Sequence, residues 1–165
     1  MDTTLFPALD YFSRLAKANR LAKANGFKAC LCSGPDSIQG VAESFRTARN
    51  FIMIDDTTSQ NTFSNGTGFF RRDVYTVFLL ASYRYDDMAD RAAKLGLCRT
   101  LFRQLHSRLL YDRDTLSDDR LTFLRLENVY STELPRYSYT GLTGLYFMVQ
   151  NEQPIDISYD STEWT

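Results

Sequence analysis

The fold of this chain is decided by residues 69–113, which read FFRRDVYTVFLLASYR (69–84), YDD (85–87) and MADRAAKLGLCRTLFRQLHSRLLYDR (88–113). The first segment is rich in β-branched and aromatic residues, which predicts a long strand. In the last segment, apolar residues recur at the period of 3.6 residues that indicates an amphipathic helix. Asp86 and Asp87 stand at its start, where the helix dipole favours negative charge. The sequence therefore predicts a sheet and a long helix, at about residues 87–112, that covers one face of it.

The long predicted strand is apolar on both sides. Side chains alternate between the two faces of a strand, so the two sets are Tyr75, Val77, Leu79, Ala81 and Tyr83, and Val74, Thr76, Phe78, Leu80 and Ser82. Helices are expected to cover one face. The other face needs a second cover, which is a loop, another element or a neighbouring subunit.

The rest of the chain supplies partners for this strand. An N-terminal helix is predicted at about residues 5–25, where the hexapeptide RLAKAN occurs twice in succession (14–19 and 20–25). Further strands are predicted at 27–32, 51–54, 121–130 and 137–149. Residues 57–68 are predicted to form a polar loop of hairpin or lid type, with a turn at Asn65-Gly66. The fold class is therefore α+β, with a mainly antiparallel sheet of about four to five strands packed by the two helices.

Length and composition favour one domain. The chain has 165 residues, enough for one well-formed core. We assign residues 1–150 to this domain and residues 151–165 to an acidic C-terminal tail. The tail contains the only tryptophan, Trp164, which either packs on its own domain or docks on a partner.

Charge, cysteines and hydropathy exclude several classes of protein. The net charge is −1, so the chain as a whole lacks the basic footprint of a nucleic-acid-binding protein. Neither a signal peptide nor a membrane span is predicted. The cysteines Cys30, Cys32 and Cys98 are odd in number and lack metal-binding spacing, and we expect buried thiols in a reducing compartment. We expect a protein of the bacterial host cytoplasm or of a virion, not a secreted one.

The sequence carries no recognisable catalytic motif. It has no phosphate-binding loop, nucleophile elbow or zinc pattern, so we expect no enzyme, no catalytic residue, no cofactor and no metal. Two aspartate pairs, Asp55-Asp56 and Asp86-Asp87, each follow a predicted strand. Turn and capping roles are expected for them, and a metal-dependent enzyme would require all four to converge. His106, the only histidine, is expected to be a partly buried structural residue.

The order of elements resembles the small α/β proteins that terminate or complete the tail tube of bacteriophages and prophages. The similarity lies in residues 51–56 with the polar segment after them, in 74–83, in 88–110, in the strands between 121 and 149, and in the ending at 156–164. It implies a homo-oligomeric ring, usually of six subunits, between tail-tube and head-connector proteins. DNA would pass through the lumen without specific binding, and no membrane would be involved.

Residues expected to take part in such contacts are Phe63, Asn65, Arg71, Arg72, Tyr75, Tyr83 and Trp164. Two alternatives to the assembly function stay open at this point. One is a nucleic-acid-binding module, in which Tyr75, Tyr83, Tyr139 and Tyr146 stack on bases from an open sheet. The other is the metal-dependent enzyme built from the four aspartates.

Overall fold

The longest feature of the fold is an antiparallel ladder between two strands, β4 (Phe69–Ser82) and β7 (Leu142–Ile155). Its register runs without interruption from the pair Phe69–Ile155 to the pair Ser82–Leu142. Every other element packs on this ladder or extends it.

The computed structural model describes residues 6–165, and in this range the chain has the predicted α+β fold. The α-helices are α1 (Ala8–Ala18), α2 (Arg20–Ala24), α3 (Ile38–Ser44) and α4 (Met88–Asp114). The remaining strands are β1 (Phe27–Cys32), β2 (Asn50–Asp55), β3 (Ser59–Ser64), β5 (Leu124–Arg125) and β6 (Ser131–Glu133).

The sheet is larger than the four to five strands predicted, because it has seven strands in the order β1-β2-β4-β7-β5, with β3 beside β4 and β6 beside β7. Only β1 and β2 pair in parallel, so the sheet is mainly antiparallel as predicted. The segment predicted as a polar loop contains β3. Its polar residues form a strand because they pair with residues 69–74, the first half of β4.

Two predicted strands have different bounds in the structure. Residues 121–130 contribute only the two-residue strand β5, which follows a 3-10 turn at Asp119–Leu121. The strand predicted at 137–149 begins at Leu142, because residues 137–141 form a turn in which Tyr139 donates its hydroxyl hydrogen bond to the Pro35 carbonyl.

The predicted N-terminal helix is interrupted at Asn19. The Ala22 N–H donates to Asn19 Oδ1 at 2.8 Å, which caps α2, and the Asn25 side chain donates to the Leu21 carbonyl at 2.9 Å. The repeated hexapeptide therefore places an asparagine at the end of each helix, where its side chain competes with helical hydrogen bonds. Residue 5, the predicted start, lies outside the described residues.

Helix α4 matches its prediction to within two residues at either end. The Asp90 N–H donates to Asp87 Oδ1 at 3.0 Å and caps it. Helices α1 and α4 run in opposite directions, since Tyr11 Oη donates to Asp112 Oδ2 at 2.9 Å and Asn19 Nδ2 donates to Gln104 Oε1 at 2.8 Å. Together they cover what we call face 1 of the sheet, on which Val77, Leu79 and Phe147 are fully buried.

The opposite side, face 2, is covered over half its length by the chain itself. Phe78 and Leu80 pack with Ile38 of α3 and with Leu134 and Leu142. Because α3 has only seven residues, this cover does not reach the other half of β4.

The boundary between domain and tail lies later than predicted. Strand β7 continues to Ile155, and Asn151 and Gln153 are buried in it. The tail is therefore residues 156–165, and each of these residues is exposed. Within residues 6–165, none of the helices combines the length and apolarity that crossing a bilayer requires.

Gly144 is required where β7 passes β4. It has a φ of +152°, and a Cβ atom there would lie 1.8 Å from the Leu79 carbonyl oxygen. We expect Gly144→Ala to lower the free energy of unfolding by about 3 kcal/mol or more, because the neighbouring backbone must shift. Gly96→Ala, in α4 with open space around it, is the matched control and should raise it by about 1 kcal/mol. Urea denaturation measures both, and equal effects would contradict the close approach.

The thiols should differ in reactivity. Burial raises the pKa of Cys98 to about 12, and burial and the nearby Asp55 carboxylate raise that of Cys32 to about 12. Cys30 is only half-buried, and burial raises its pKa as well. At about pH 8 a disulfide reagent should modify Cys30 alone in the folded chain, and all three thiols after unfolding in urea. Cys30→Ser should abolish the reaction of the folded chain. Rapid modification of Cys98 would contradict the packing of α4.

Candidate functional site

The half of face 2 that α3 does not reach forms a continuous, half-exposed surface. We call it the open surface, and it consists of Phe63 from β3, Phe70, Arg72, Val74 and Thr76 from β4, and Met148, Gln150 and Glu152 from β7. These side chains share one face because of the strand register. Phe63 stands opposite Phe70, and Arg72 stands opposite Glu152.

The centre of the open surface is an aromatic pair beside an ion pair. The rings of Phe63 and Phe70 stack with centroids 6.0 Å apart and an interplanar angle of 23°. The Arg72 guanidinium lies 5.2 Å from the Phe63 ring centroid and donates from Nη2 to Glu152 Oε2 at 2.8 Å. Because the Glu152 carboxylate fixes the Arg72 guanidinium over the Phe63 ring, the side chains of Arg72 and Phe63 are held in one orientation.

The chemical groups of the open surface are suited to binding. It presents apolar area, a planar guanidinium and a carboxylate. Arg125 Nη2 lies at the rim, 3.7 Å from Glu152 Oε1. Such a mixture of apolar core and charged rim is typical of surfaces that contact other proteins.

The residues predicted to make contacts are divided between several places. Phe63 and Arg72 lie on the open surface. Asn65 occupies the turn between β3 and β4, where its Oδ1 accepts from the Thr67 N–H at 3.0 Å. Arg71 lies on face 1 and pairs with the buried Asp73 at 3.1 Å. Trp164 is exposed in the tail.

Tyr75 and Tyr83, which are also predicted to take part in contacts, are both buried, with exposed fractions of 5% and 7%. Tyr75 lies on face 1, and its ring packs against Phe6 with centroids 5.5 Å apart. The N-terminal segment and the helices cover this face, so the Tyr75 ring belongs to the core. Tyr83 directly follows β4.

The tyrosine platform of the nucleic-acid alternative is therefore not formed. Tyr146 lies on face 2, with its ring centroid 5.5 Å from that of Phe78. Tyr139 is in the turn before β7, held by the Pro35 carbonyl at 2.8 Å. With Tyr75 and Tyr83 buried, the four rings share no exposed surface.

The two aspartate pairs lie near opposite ends of β2. Asp55 is the last residue of β2, whereas Asp86-Asp87 follow the part of β4 that pairs with Asn50 at the start of β2, so the length of β2 separates the pairs by about 20 Å. Asp55 Oδ1 accepts from the Gly34 N–H at 3.1 Å and from the Thr57 N–H at 3.0 Å. Asp87 caps α4, and the Asp90 N–H holds the pKa of Asp87 below its ordinary value. Asp55 and Asp87 thus have the predicted turn and capping roles.

His106 has the structural role expected of it. Its Nε2 lies 2.8 Å from the Leu126 carbonyl oxygen, and its ring stacks on Phe102. Across residues 6–165, no three His, Cys, Asp or Glu side chains are grouped so that they could hold a metal ion.

Sequence reasoning missed Phe70, Met148 and Glu152 as members of the open surface. The alternation of β4 placed Phe70 on the same face as Val74, but the pairing of β4 with β7 was not available from the sequence. Glu152 was also assigned to the tail, because the residues after Val149 are polar.

No protein-family model matches the chain, and no curated protein matches it significantly.

The open surface should be dispensable for stability. The side chains of Arg72 and Glu152 are 38% and 18% exposed, and partly exposed ion pairs contribute about 0–1 kcal/mol. We therefore expect Arg72→Ala to lower the free energy of unfolding by about 1 kcal/mol or less in urea denaturation. Leu79→Ala on the same strand, at a fully buried position, should cost about 2–5 kcal/mol. A similar loss in both variants would show that Arg72 is a structural residue.

Proposed function

We propose that this chain is a structural subunit of a phage-like tail, which assembles into a closed ring that terminates or completes the tail tube. One observation carries this proposal: a strand with an unpaired outer edge stands directly beside the open surface. That strand is β3, and together with the adjoining halves of β4 and β7 it forms a three-stranded extension of the sheet that α3 does not reach.

The outer edge of β3 is suited to pairing with another strand. Within residues 6–165, β3 pairs with β4 on one side and with nothing on the other. Monomeric proteins usually protect such edges with lysine, proline or other charges. The β3 sequence SQNTFS contains no charged residue and no proline, so its unpaired N–H and C=O groups are available to a partner.

The open surface adds side-chain area beside this edge. Phe63, Phe70, Val74 and Met148 are each only partly buried, and an exposed apolar patch of this kind typically marks a protein contact. The same copy thus offers main-chain hydrogen bonds at the edge and apolar area on the adjacent face. A contact between this extension and a different surface of the next copy is heterologous, and heterologous contacts close into rings when the rotation permits.

The phage-tail part of the proposal rests on the resemblance in the order of elements. Long strand, long helix and closing strands follow one another as in the tail-terminating and tail-completing proteins. The proposed ring, usually of six subunits in that class, would contact tail-tube and head-connector proteins. The net charge of −1 suits a lumen through which DNA slides without being held. Its place would be the virion or the cytoplasm of the bacterial host.

The ring should depend on the edge of β3. We expect the purified chain to form a concentration-dependent oligomer of defined mass in size-exclusion chromatography with light scattering. Gln60→Lys with Thr62→Lys should make it a monomer, because lysines on an edge strand block pairing by a second strand.

The matched control is Ala93→Lys, at an exposed position of α4, which should leave the mass of the oligomer unchanged. Circular dichroism verifies that each variant is folded. A wild-type chain that is monomeric at all concentrations and also fails to form rings on purified tail tubes would overturn the proposal.

A further inference from the structure

The C-terminal tail, residues 156–165, has a defined shape although no part of the body covers it. Asp160 Oδ1 accepts from the Thr162 N–H at 2.8 Å and caps a 3-10 turn at Ser161–Glu163. The turn brings the rings of Tyr159 and Trp164 together, with centroids 6.4 Å apart and an interplanar angle of 23°. These rings are 76% and 67% exposed. Two stacked aromatic rings in solvent are a typical anchor for a protein contact.

The charge of the tail has one sign. Asp156, Asp160 and Glu163 are acidic, and no residue of the tail is basic. Hydrogen bonds from Ser158 and Thr162 hold the pKa of Asp156 and Asp160 below their ordinary values. A surface that binds this tail must therefore combine apolar depth with positive charge.

The helical layer contains such a surface. A groove of about 640 Å³ lies between α1–α2 and α4, with Leu15, Leu21 and Leu105 among its lining residues and Arg20 and Arg108 beside them. Its volume is in the range of sites that hold a drug-sized ligand. We call it the helical groove.

The positive charge at the helical groove is only partly neutralised by the chain. Of the two arginines that line it, Arg108 pairs with Asp112 at 2.8 Å. Arg20 forms no ion pair with any of the described residues. An acidic partner would therefore find one free cation, Arg20, at the groove.

We propose that the C-terminal tail of one copy of this chain docks into the helical groove of a second copy. Tyr159 and Trp164 cover the leucines, and Asp160 and Glu163 face Arg20 and Arg108. This inference rests on the proposed ring function and specifies one of its subunit contacts.

The position of the tail favours a second copy over its own groove. The tail and α2 lie at opposite ends of β4. The tail follows Ile155, which pairs with Phe69 at the start of β4. Helix α2 leads into Phe27, which pairs with Asn50, and Asn50 pairs with Ala81 near the end of β4. Between Phe69 and Ala81 strand β4 measures about 40 Å. Ten residues span at most about 35 Å even when fully extended, so the tail, which also forms a turn, is too short to cover this distance within its own copy. Contact between opposite ends of two copies is the head-to-tail arrangement that a ring needs.

The contact can be tested with a labelled synthetic peptide of residues 155–165 and the full chain, by fluorescence anisotropy. The native peptide should bind, and Arg20→Glu in the full chain should weaken binding by about tenfold or more. Arg46→Glu, which removes an exposed cation outside the groove, should have no effect. A peptide with Asp160→Lys and Glu163→Lys should bind the Arg20→Glu chain better than the native peptide does.

Three results would overturn the proposal. Equal weakening by Arg46→Glu would show general charge attraction, and tight binding of a peptide with Tyr159→Ala and Trp164→Ala would show that the rings are not anchors. The third result concerns the native peptide and the full chain. If the peptide binds a full chain with Tyr159→Ala and Trp164→Ala but does not bind the monomeric wild type, the tail of the wild type occupies the groove of its own copy.

Light scattering on full-chain variants separates this inference from the ring itself. The chain with Tyr159→Ala and Trp164→Ala should lose the oligomer, and Tyr137→Ala, which removes an aromatic ring that is 83% exposed, should keep it. If the wild type forms a ring that the tail variant retains, the tail contact is wrong and the proposed function stands. If the wild type forms no ring, either alone or on purified tail tubes, but the peptide binds in an Arg20-dependent way, the proposed function fails and the contact stands.

Discussion

The whole structure depends on the ladder between β4 and β7. Fourteen residue pairs align without a break, and a strand of that length extends about 46 Å. Helix α4 has 27 residues, which makes it about 40 Å long, but α3 has seven and spans only about 10 Å. One side of the ladder is therefore covered almost throughout, and the other side only in part. The open surface is the consequence of this difference in length.

The two ends of the ladder have different properties. At the Ser82 end, α3 and the segment before β7 bury Phe78 and Leu80, and Asp87 starts α4. At the Phe69 end, β3 extends the sheet with an edge of polar uncharged residues, and the tail leaves the body. A molecule with two such different ends is suited to repeated head-to-tail contacts. This asymmetry supports the proposed ring and the proposed docking of the tail in the helical groove of a second copy.

Strand direction and strand alternation decide which residues can act together. Asp55 and Asp87 both follow strands, but the strands are antiparallel, so the carboxylates stand far apart. Tyr75 and Arg72 are close in sequence, but their separation by three positions puts them on opposite faces. Tyr75 is consequently in the core, while Arg72 is at the centre of the open surface. Residue type alone could not have shown that Tyr75 is buried and Arg72 is accessible, because this depends on which face of the sheet the helices cover.

The sequence by itself determined the local elements. The 3.6-residue period fixed α4, the β-branched and aromatic run fixed β4, Asn65-Gly66 fixed the turn, and together they gave the α+β class. These signals are local, because they depend on dihedral preference and on the spacing of apolar residues. Only the tertiary structure decided that polar residues 59–64 form a strand and that Glu152 belongs to the sheet. It alone also decided that Tyr75 is buried and that Phe63 meets Phe70. Each of these depends on which strand pairs with which and on how far a helix reaches, and such pairings join residues distant in sequence that carry no local mark of their partner.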